Sequence, residues 1–203
     1  MYLPKSTDSG DFVPAPSGTH LAICYRLIDL GTQKTEWSGE INYKRKIMLS
    51  WELPHEPMQD DRPISAHQRY TYSSHEKSRL RKDLEAWRGK AFRDEDFGPG
   101  GFDIKNILGK GCYLSIVQTE KDGRTYANIN SVSALPKGTE TPKPANPIVY
   151  FSLDEFDQAV FDALPDSIKD IIKRSPEYQA AVMGQKPVRQ ETEIDDLSDS
   201  IPF

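Results

Sequence analysis

Basic and aromatic side chains recur together at three places in the first two thirds of this sequence. The group comprises Trp37, Tyr43, Lys44 and Lys46, then Arg69, Tyr70 and Tyr72, and finally Lys121, Arg124 and Tyr126. Cations replace the counterions along a phosphate backbone, and flat rings offer platforms on which unpaired bases stack. Together these residue types indicate a surface that binds a single nucleic-acid strand without strict sequence preference.

Within this group we assign Lys44, Lys46 and Arg69 to phosphate contacts. Tyr43, Tyr70 and Trp37 are the preferred stacking platforms. For any one of them a second interpretation has equal weight, because strand tyrosines often belong to a core and lysines often only solvate a surface.

Enzymatic sites are poorly supported by the sequence. Gly98-Pro99-Gly100-Gly101 resembles a phosphate-binding loop only in its glycine content, and Lys110 is followed by glycine rather than Ser or Thr. The acidic run Asp94–Asp96 has no catalytic lysine at a telling spacing. We therefore predict a protein that is not an enzyme and has no catalytic residues.

We also predict no cofactor and no metal site. Neither Cys24 nor Cys112 lies at ligand spacing from a histidine, and both stand among apolar residues as small hydrophobes of a reduced, cytoplasmic protein. Because no apolar stretch approaches the length of a bilayer span, we expect no membrane partner.

The charge of the chain is unevenly distributed. The net charge is −5, but residues 21–150 carry 20 Lys and Arg against 17 Asp and Glu, a net of +3, while residues 151–203 carry 5 against 12, a net of −7. A mildly basic middle followed by an acidic end is typical of a polyanion binder with an acidic tail.

Strand patterns dominate the region that carries the basic and aromatic residues. Alternation predicts strands over residues 19–30, 41–53 and 66–72, with a turn at 31–34 and a proline-rich loop at 52–63. On the second strand, Ile47, Leu49, Trp51 and Leu53 share the predicted core face.

A helix and two further strands complete this region. Ser73 and Glu76 have capping-box spacing, Leu80, Leu84 and Trp87 share one helical face, and Gly89 fits the end of the helix. Strands follow at 111–119 and 124–135, joined by Asp122-Gly123, a strong hairpin signal. The predicted fold class is mainly β with helices (α+β): a five-stranded OB-fold barrel over residues 18–136, whose helix lies between the third and fourth strands.

The remaining segments read as appendages. Residues 1–17 form an N-terminal arm, residues 137–147 a proline-rich linker, and residues 148–184 a helical appendage. In the appendage, Ser152 and Glu155 predict the start of one helix, Pro165 separates a second, and Ser175-Pro176 starts a third. Such short helices must dock on the barrel or on another subunit. Residues 185–203 are predicted to be a disordered acidic tail.

The last residues of this tail resemble a known terminus. Asp195, Asp196 and Asp199 precede Ile201, Pro202 and Phe203, and this end is similar to the C-terminal tip of bacterial single-stranded DNA-binding proteins. A phenyl ring, a carboxylate and upstream acids suit a partner pocket that is apolar inside and basic at its rim.

The resemblance implies a non-catalytic protein that coats single-stranded DNA in replication, recombination and repair and recruits proteins of these processes through its tip. The long arm, the proline-rich loop and the helices at 152–183 depart from the family pattern, so tetramer formation is not carried over and a homo-oligomer stays an open alternative. Such a body would suit a bacteriophage protein. Three alternatives stay open: a recombination mediator or strand-annealing protein, a protein-binding adaptor without nucleic-acid affinity, and RNA rather than DNA as the ligand.

Overall fold

The computed structural model describes residues 13–37, 39–58 and 60–184. Its elements are β1 (Gly18–Trp37), β2 (Glu40–Pro57), β3 (Pro63–Thr71), α1 (Arg79–Arg88), β4 (Gly111–Lys121), β5 (Arg124–Ser133), β6 (Val149–Phe151), α2 (Gln158–Asp162), α3 (Asp166–Ile172) and α4 (Pro176–Val182). Short 3₁₀ turns at Asp94–Asp96 and Ile104–Ile107 lie between α1 and β4. The prediction of a mainly β protein with helices is confirmed.

One sheet contains all of these strands. The order is β3-β2-β1-β4-β5, and each neighbouring pair on this path is antiparallel. The short β6 pairs parallel to β1, with Val149 to Phe151 opposite Arg26 to Ile28. β3 and β5, at the two ends of the path, also contact each other.

The turn predicted at residues 31–34 is wrong. β1 continues to Trp37, and Gly31 instead marks a shift of register against β2, with a φ of +70° that favours glycine. The hairpin turns near Gly39, whose φ is +83°, and Trp37 pairs with Glu40. A glycine at a bulge and a glycine in a turn give the same local signal, so the sequence placed the turn too early.

The loop predicted at residues 52–63 is shorter than expected. β2 extends to Pro57, which pairs with Pro63 at the start of β3 after a register shift. Prolines are tolerated there because the terminal residues of a strand need not donate to the ladder.

The end of α1 and the turn between β4 and β5 follow local sequence rules. α1 ends at Gly89 in the left-handed conformation, as predicted, but its N-cap is Ser78, whose hydroxyl accepts from the amide of Arg81, rather than Ser73. Asp122 and Gly123 join β4 and β5 with φ values of +52° and +71°. Both values are positive, as a tight two-residue hairpin turn requires.

The main core lies on the face of the sheet that α1 covers. The predicted set Ile47, Leu49, Trp51 and Leu53 is buried in it together with Leu80 and Leu84 of α1. Trp87 packs at its edge with its ring centroid 6.0 Å from that of Trp51. Its Nε1 donates to the carbonyl of Gly111 at 2.8 Å, which ties α1 to the start of β4.

A second apolar cluster joins the C-terminal helices to the opposite face of β1 and β2. Ile28, Leu30 and Met48 pack there against Phe161 and Ile172, so the helices dock on the sheet of their own chain. α4 begins at Ser175-Pro176 as predicted. α2, however, is capped by Asp157 rather than Ser152, and its first residue is Gln158.

The proline-rich segment before β6 is also attached to the sheet. The carboxylate of Glu52, buried on β2, accepts the amides of Ala145 and Asn146 at 2.7 and 2.9 Å. Among the helices of the described residues α1 is the longest, with 10 residues. Within the described ranges, no helix combines the length and the apolar character needed to cross a bilayer.

Candidate nucleic-acid interface

The three cations chosen for phosphate contacts share one face of β2 and β3. Lys46 pairs with Thr71 and Met48 with Arg69, and side chains two residues apart on a strand lie on the same side, which places Lys44 with Lys46. The Nζ of Lys46 donates to the hydroxyl of Thr71 at 2.6 Å, and Arg69 is exposed. This face is the one opposite the main core.

The predicted rings lie on the other side of the same strands. Tyr43 follows the alternation of Ile47, and Tyr72 lies beside Arg45, whose carbonyl accepts its amide at 2.8 Å. Tyr43 is 55 % exposed and Tyr72 is 47 % exposed. The structure therefore separates the cations from the rings with which they were expected to cooperate.

Tyr70 is a core residue, which corrects its assignment as a stacking platform. It pairs with Ile47, is only 1 % exposed and donates its hydroxyl to Asp83 on α1 at 2.8 Å. Burial, together with the nearby Asp83 carboxylate, raises the pKa of Tyr70 well above its usual range. Its ring is not accessible to a base.

The predicted residues of the last hairpin do come together. Lys121 pairs with Arg124 and Thr119 with Tyr126, so Lys121, Arg124 and Tyr126 share one face of the β4–β5 hairpin. All three are exposed, Tyr126 to 46 %. We call them the hairpin patch; it offers two cations and one ring at the tip of the hairpin.

The two hairpins lie beyond opposite ends of β1. Gly18 pairs with Ile116 and Ile23 with Gly111, so the tip at residues 121–124 extends past the start of β1. The structure describes only the backbone of Trp37, at the other end of β1. The stacking predicted for its side chain therefore lies outside the described part of the structure. The predicted partner-binding residues 195–203 also lie outside the described residues.

A groove of about 750 Å³ lies next to Tyr72. Five aromatic rings line it, those of Tyr72, Phe92, Phe97, Phe102 and Tyr150, together with the backbone of Gly98–Gly101. We call it the ring groove. Sequence reasoning missed Phe97 and Tyr150; the one available signal was the glycine-rich stretch, which lets the backbone approach closely.

Cations of the protein lie over all five of the groove's rings. The guanidinium of Arg88 is 4.0 Å from the ring centre of Phe92 and 4.9 Å from that of Phe102. The guanidinium of Arg81 is 4.9 Å from the ring centre of Phe97, and the ammonium of Lys105 is 4.2 Å from that of Tyr150. The guanidinium of Arg45 lies 5.9 Å from the ring centre of Tyr72. Such cation–π pairs fix the orientation of the rings.

Carboxylates of the groove wall are engaged with these cations or with the backbone. Glu155 accepts from Lys105 at 2.8 Å, and this hydrogen bond raises the pKa of Lys105. Asp154 pairs with Arg45 at 3.0 Å, and Asp103 accepts the amide of Lys105 at 2.9 Å. The wall therefore carries paired charges rather than a free excess of positive charge.

Arg45 connects the groove to the sheet. It pairs with Asp29 of β1 as well as with Asp154, and Asp29 also accepts the amides of Gly31 and Leu153 at 3.0 and 3.1 Å. Burial lowers the pKa of Arg45, but its hydrogen bonds to Asp29 and Asp154 outweigh this and raise it. Arg45 thus stays charged and ties Asp154 of the groove wall to Asp29 of β1.

Comparison with known protein families and with curated protein sequences finds no match for this chain.

Proposed function

We propose that this chain is a non-catalytic single-stranded DNA-binding protein whose sheet is an OB-fold barrel. It coats exposed strands during replication, recombination and repair, and it recruits partner proteins through residues Asp195–Phe203. The partner-binding part of the proposal rests on the sequence of the tip alone.

The order of the strands carries the proposal. An OB-fold is a five-stranded, partly open barrel that binds oligonucleotides on strands 2 and 3 and on the loops that join strands 1–2 and 4–5. Here the order is β3-β2-β1-β4-β5, α1 lies between β3 and β4, and β3 contacts β5. A contact between the outer strands of the path is what closure of such a barrel requires.

The hairpin patch supports the same proposal. The β4–β5 connection is one of the loops that contact nucleic acid in OB-folds, and here it places Lys121, Arg124 and Tyr126 on one exposed face. Two cations beside a ring supply both phosphate neutralisation and base stacking.

A titration of the full chain with oligo-dT tests the proposal. We expect binding whose affinity falls with salt, with log K against log salt sloping by about −0.7 for each neutralised phosphate. Duplex DNA of equal length is the control and should bind more weakly. RNA of the same sequence measures the preference between the two nucleic acids.

Two outcomes separate the proposal from its alternatives. Absence of affinity for any oligonucleotide would overturn it in favour of a protein-binding adaptor. Acceleration of annealing between complementary strands would replace the coating role by that of an annealing protein.

A further inference from the structure

We propose that the bound strand runs along the ring-bearing face of the β1–β2 hairpin and places its bases in the ring groove. This inference rests on the proposed function and names the path of the DNA. It assigns base contacts to Tyr72, Phe97 and Tyr150. It also excludes the cationic face of Lys44, Lys46 and Arg69 from the path.

A continuous series of rings and cations leads along this face to the groove. Lys34 pairs with Tyr43 across the hairpin, and Thr32 pairs with Arg45 one step closer to the groove. Arg45 lies beside Tyr72, which forms part of the groove wall. The exposed Lys34 and Tyr43 thus lead towards Tyr72 and the groove, with the part-buried Arg45 between them.

The opposite face of the same hairpin is covered near its base. Gly31 packs against Ser175 so closely that an added methyl group would collide with it. The side-chain amide of Gln33 donates to the carbonyl of Ile171 at 3.1 Å. α3 and α4 thus cover this side near the base of the hairpin. On the ring-bearing side Thr32 also donates to Glu177 of α4, but Lys34 and Tyr43 beyond it are exposed.

The chemistry of the groove fits bases rather than phosphates. Its carboxylates are balanced by Arg45 and Lys105, so the wall offers no surplus of positive charge for a phosphate. A base is uncharged and planar, and it gains stacking energy on an aromatic ring whatever its sequence. A volume of about 750 Å³ is in the usual range for a small-ligand pocket. The phosphates then lie outside, towards Lys34 and the solvent.

Substitution of the rings tests this path in the full chain. We expect Tyr72→Leu and Tyr150→Leu each to weaken oligo-dT binding about tenfold, the usual loss for one stacked base, with an unchanged salt slope because no phosphate contact is removed. Tyr72 is 47 % exposed, so its variant should fold even if the one at Tyr150, which is more buried on β6, does not.

Arg69→Ala, in β3, is the matched control for Tyr72→Leu. It lies three residues from Tyr72 on the opposite face, and the ring-bearing path predicts unchanged affinity and an unchanged salt slope. A path over the cationic face predicts the reverse, namely weaker binding with a shallower slope.

Photocrosslinking of the unaltered protein gives an independent readout. With an oligo-dT containing 5-iodouracil, we expect adducts on peptides that contain Tyr72, Phe97 or Tyr150. If oligo-dT binds normally but the Leu variants bind like the parent and adducts map only elsewhere, this inference is overturned and the proposed function stands. If oligo-dT does not bind at all, the proposed function fails with it.

Discussion

Glu52 and Asn146 are joined by two hydrogen bonds although 94 residues separate them in the chain. One carboxylate oxygen of Glu52 accepts the backbone amide of Asn146 at 2.9 Å and its side-chain amide at 2.7 Å. The other oxygen accepts the amide of Ala145. A segment whose composition is that of a flexible linker is thereby fixed to the sheet.

Replacing Glu52 should destabilise the fold. Glu52→Ala leaves two part-buried backbone amides without their charged partner, which should lower the free energy of unfolding by about 3 kcal/mol. Urea denaturation measures this. Glu120→Ala, an exposed position on β4, should change it little. Equal stabilities for the two variants would show that Glu52 does not hold the segment.

Gly31 should not tolerate a side chain. At a φ of +70° any L-residue is strained by about 1–2 kcal/mol, and a methyl group there also collides with Ser175, which adds about 1–3 kcal/mol. We therefore expect Gly31→Ala to lower the free energy of unfolding by more than backbone strain alone would.

Gly39→Ala is the control for this position. Its φ of +83° imposes similar strain, but an added methyl group meets no atom within 4 Å. If urea denaturation shows the same loss of unfolding free energy for Gly31→Ala and Gly39→Ala, close packing of α4 on β1 is contradicted.

Stability should fall in alkaline solution because of Cys24. Burial raises the pKa of this thiol from 9.0 to about 12. The unfolded chain then releases the thiol proton at a lower pH than the folded chain, so the folded state loses stability as the pH rises from about 9 towards 12. Between pH 8 and pH 10 this loss should be about 1 kcal/mol.

The variant Cys24→Ala isolates this effect from other groups that titrate in the same range. The difference in unfolding free energy between the parent and Cys24→Ala should shrink from pH 8 to pH 10. A difference that stays constant from pH 8 to pH 10 would show that the Cys24 thiol does not cause the alkaline loss of stability.

The hairpin patch should set part of the salt dependence of DNA binding. In the double variant Lys121→Ala and Arg124→Ala, the slope of log K against log salt should become shallower by about 1.4, that is, about 0.7 for each lost phosphate contact. Lys173→Ala with Arg174→Ala, exposed at the end of α3, removes the same charge elsewhere. Identical slopes for both double variants would exclude the patch from the binding surface.

Removal of residues 191–203 should tighten DNA binding at low salt. This segment carries Glu191, Glu193, Asp195, Asp196 and Asp199, which compete with phosphates for the same cations. The gain should disappear at high salt, where screening weakens both interactions. Fluorescence anisotropy with labelled oligo-dT measures it, and an affinity that does not change at low salt would reject the competition.

Local rules predicted those parts of the fold that are decided locally. Asp122-Gly123 requires positive φ at both residues, and Gly89 and Ser175-Pro176 act within one helical turn, so each could be found from neighbouring residues. The core face of β2 was equally clear because alternation alone defines it.

Features that depend on distant partners could not be predicted in this way. Gly31 reads as a turn until Ser175 is seen against it, and the three-residue β6 forms only because β1 offers an edge. That Tyr70 faces the core and meets Asp83 follows from the packing of α1 on β3. The opposite faces of Tyr70 and Arg69, by contrast, follow from local alternation that our grouping overlooked. Cations and rings that are adjacent in the chain were therefore grouped although the pleat points them apart.

The attachment of the last helices to the first strand constrains how the molecule is made. Thr32 bonds Glu177 across 145 residues, and Ile28, Leu30 and Met48 stay uncovered until Phe161 and Ile172 have been synthesised. Contacts of such long sequence separation make folding slow. During translation an apolar face of β1 and β2 therefore stays exposed until α2 and α3 have been made. This is the interval in which aggregation threatens and a chaperone would matter most.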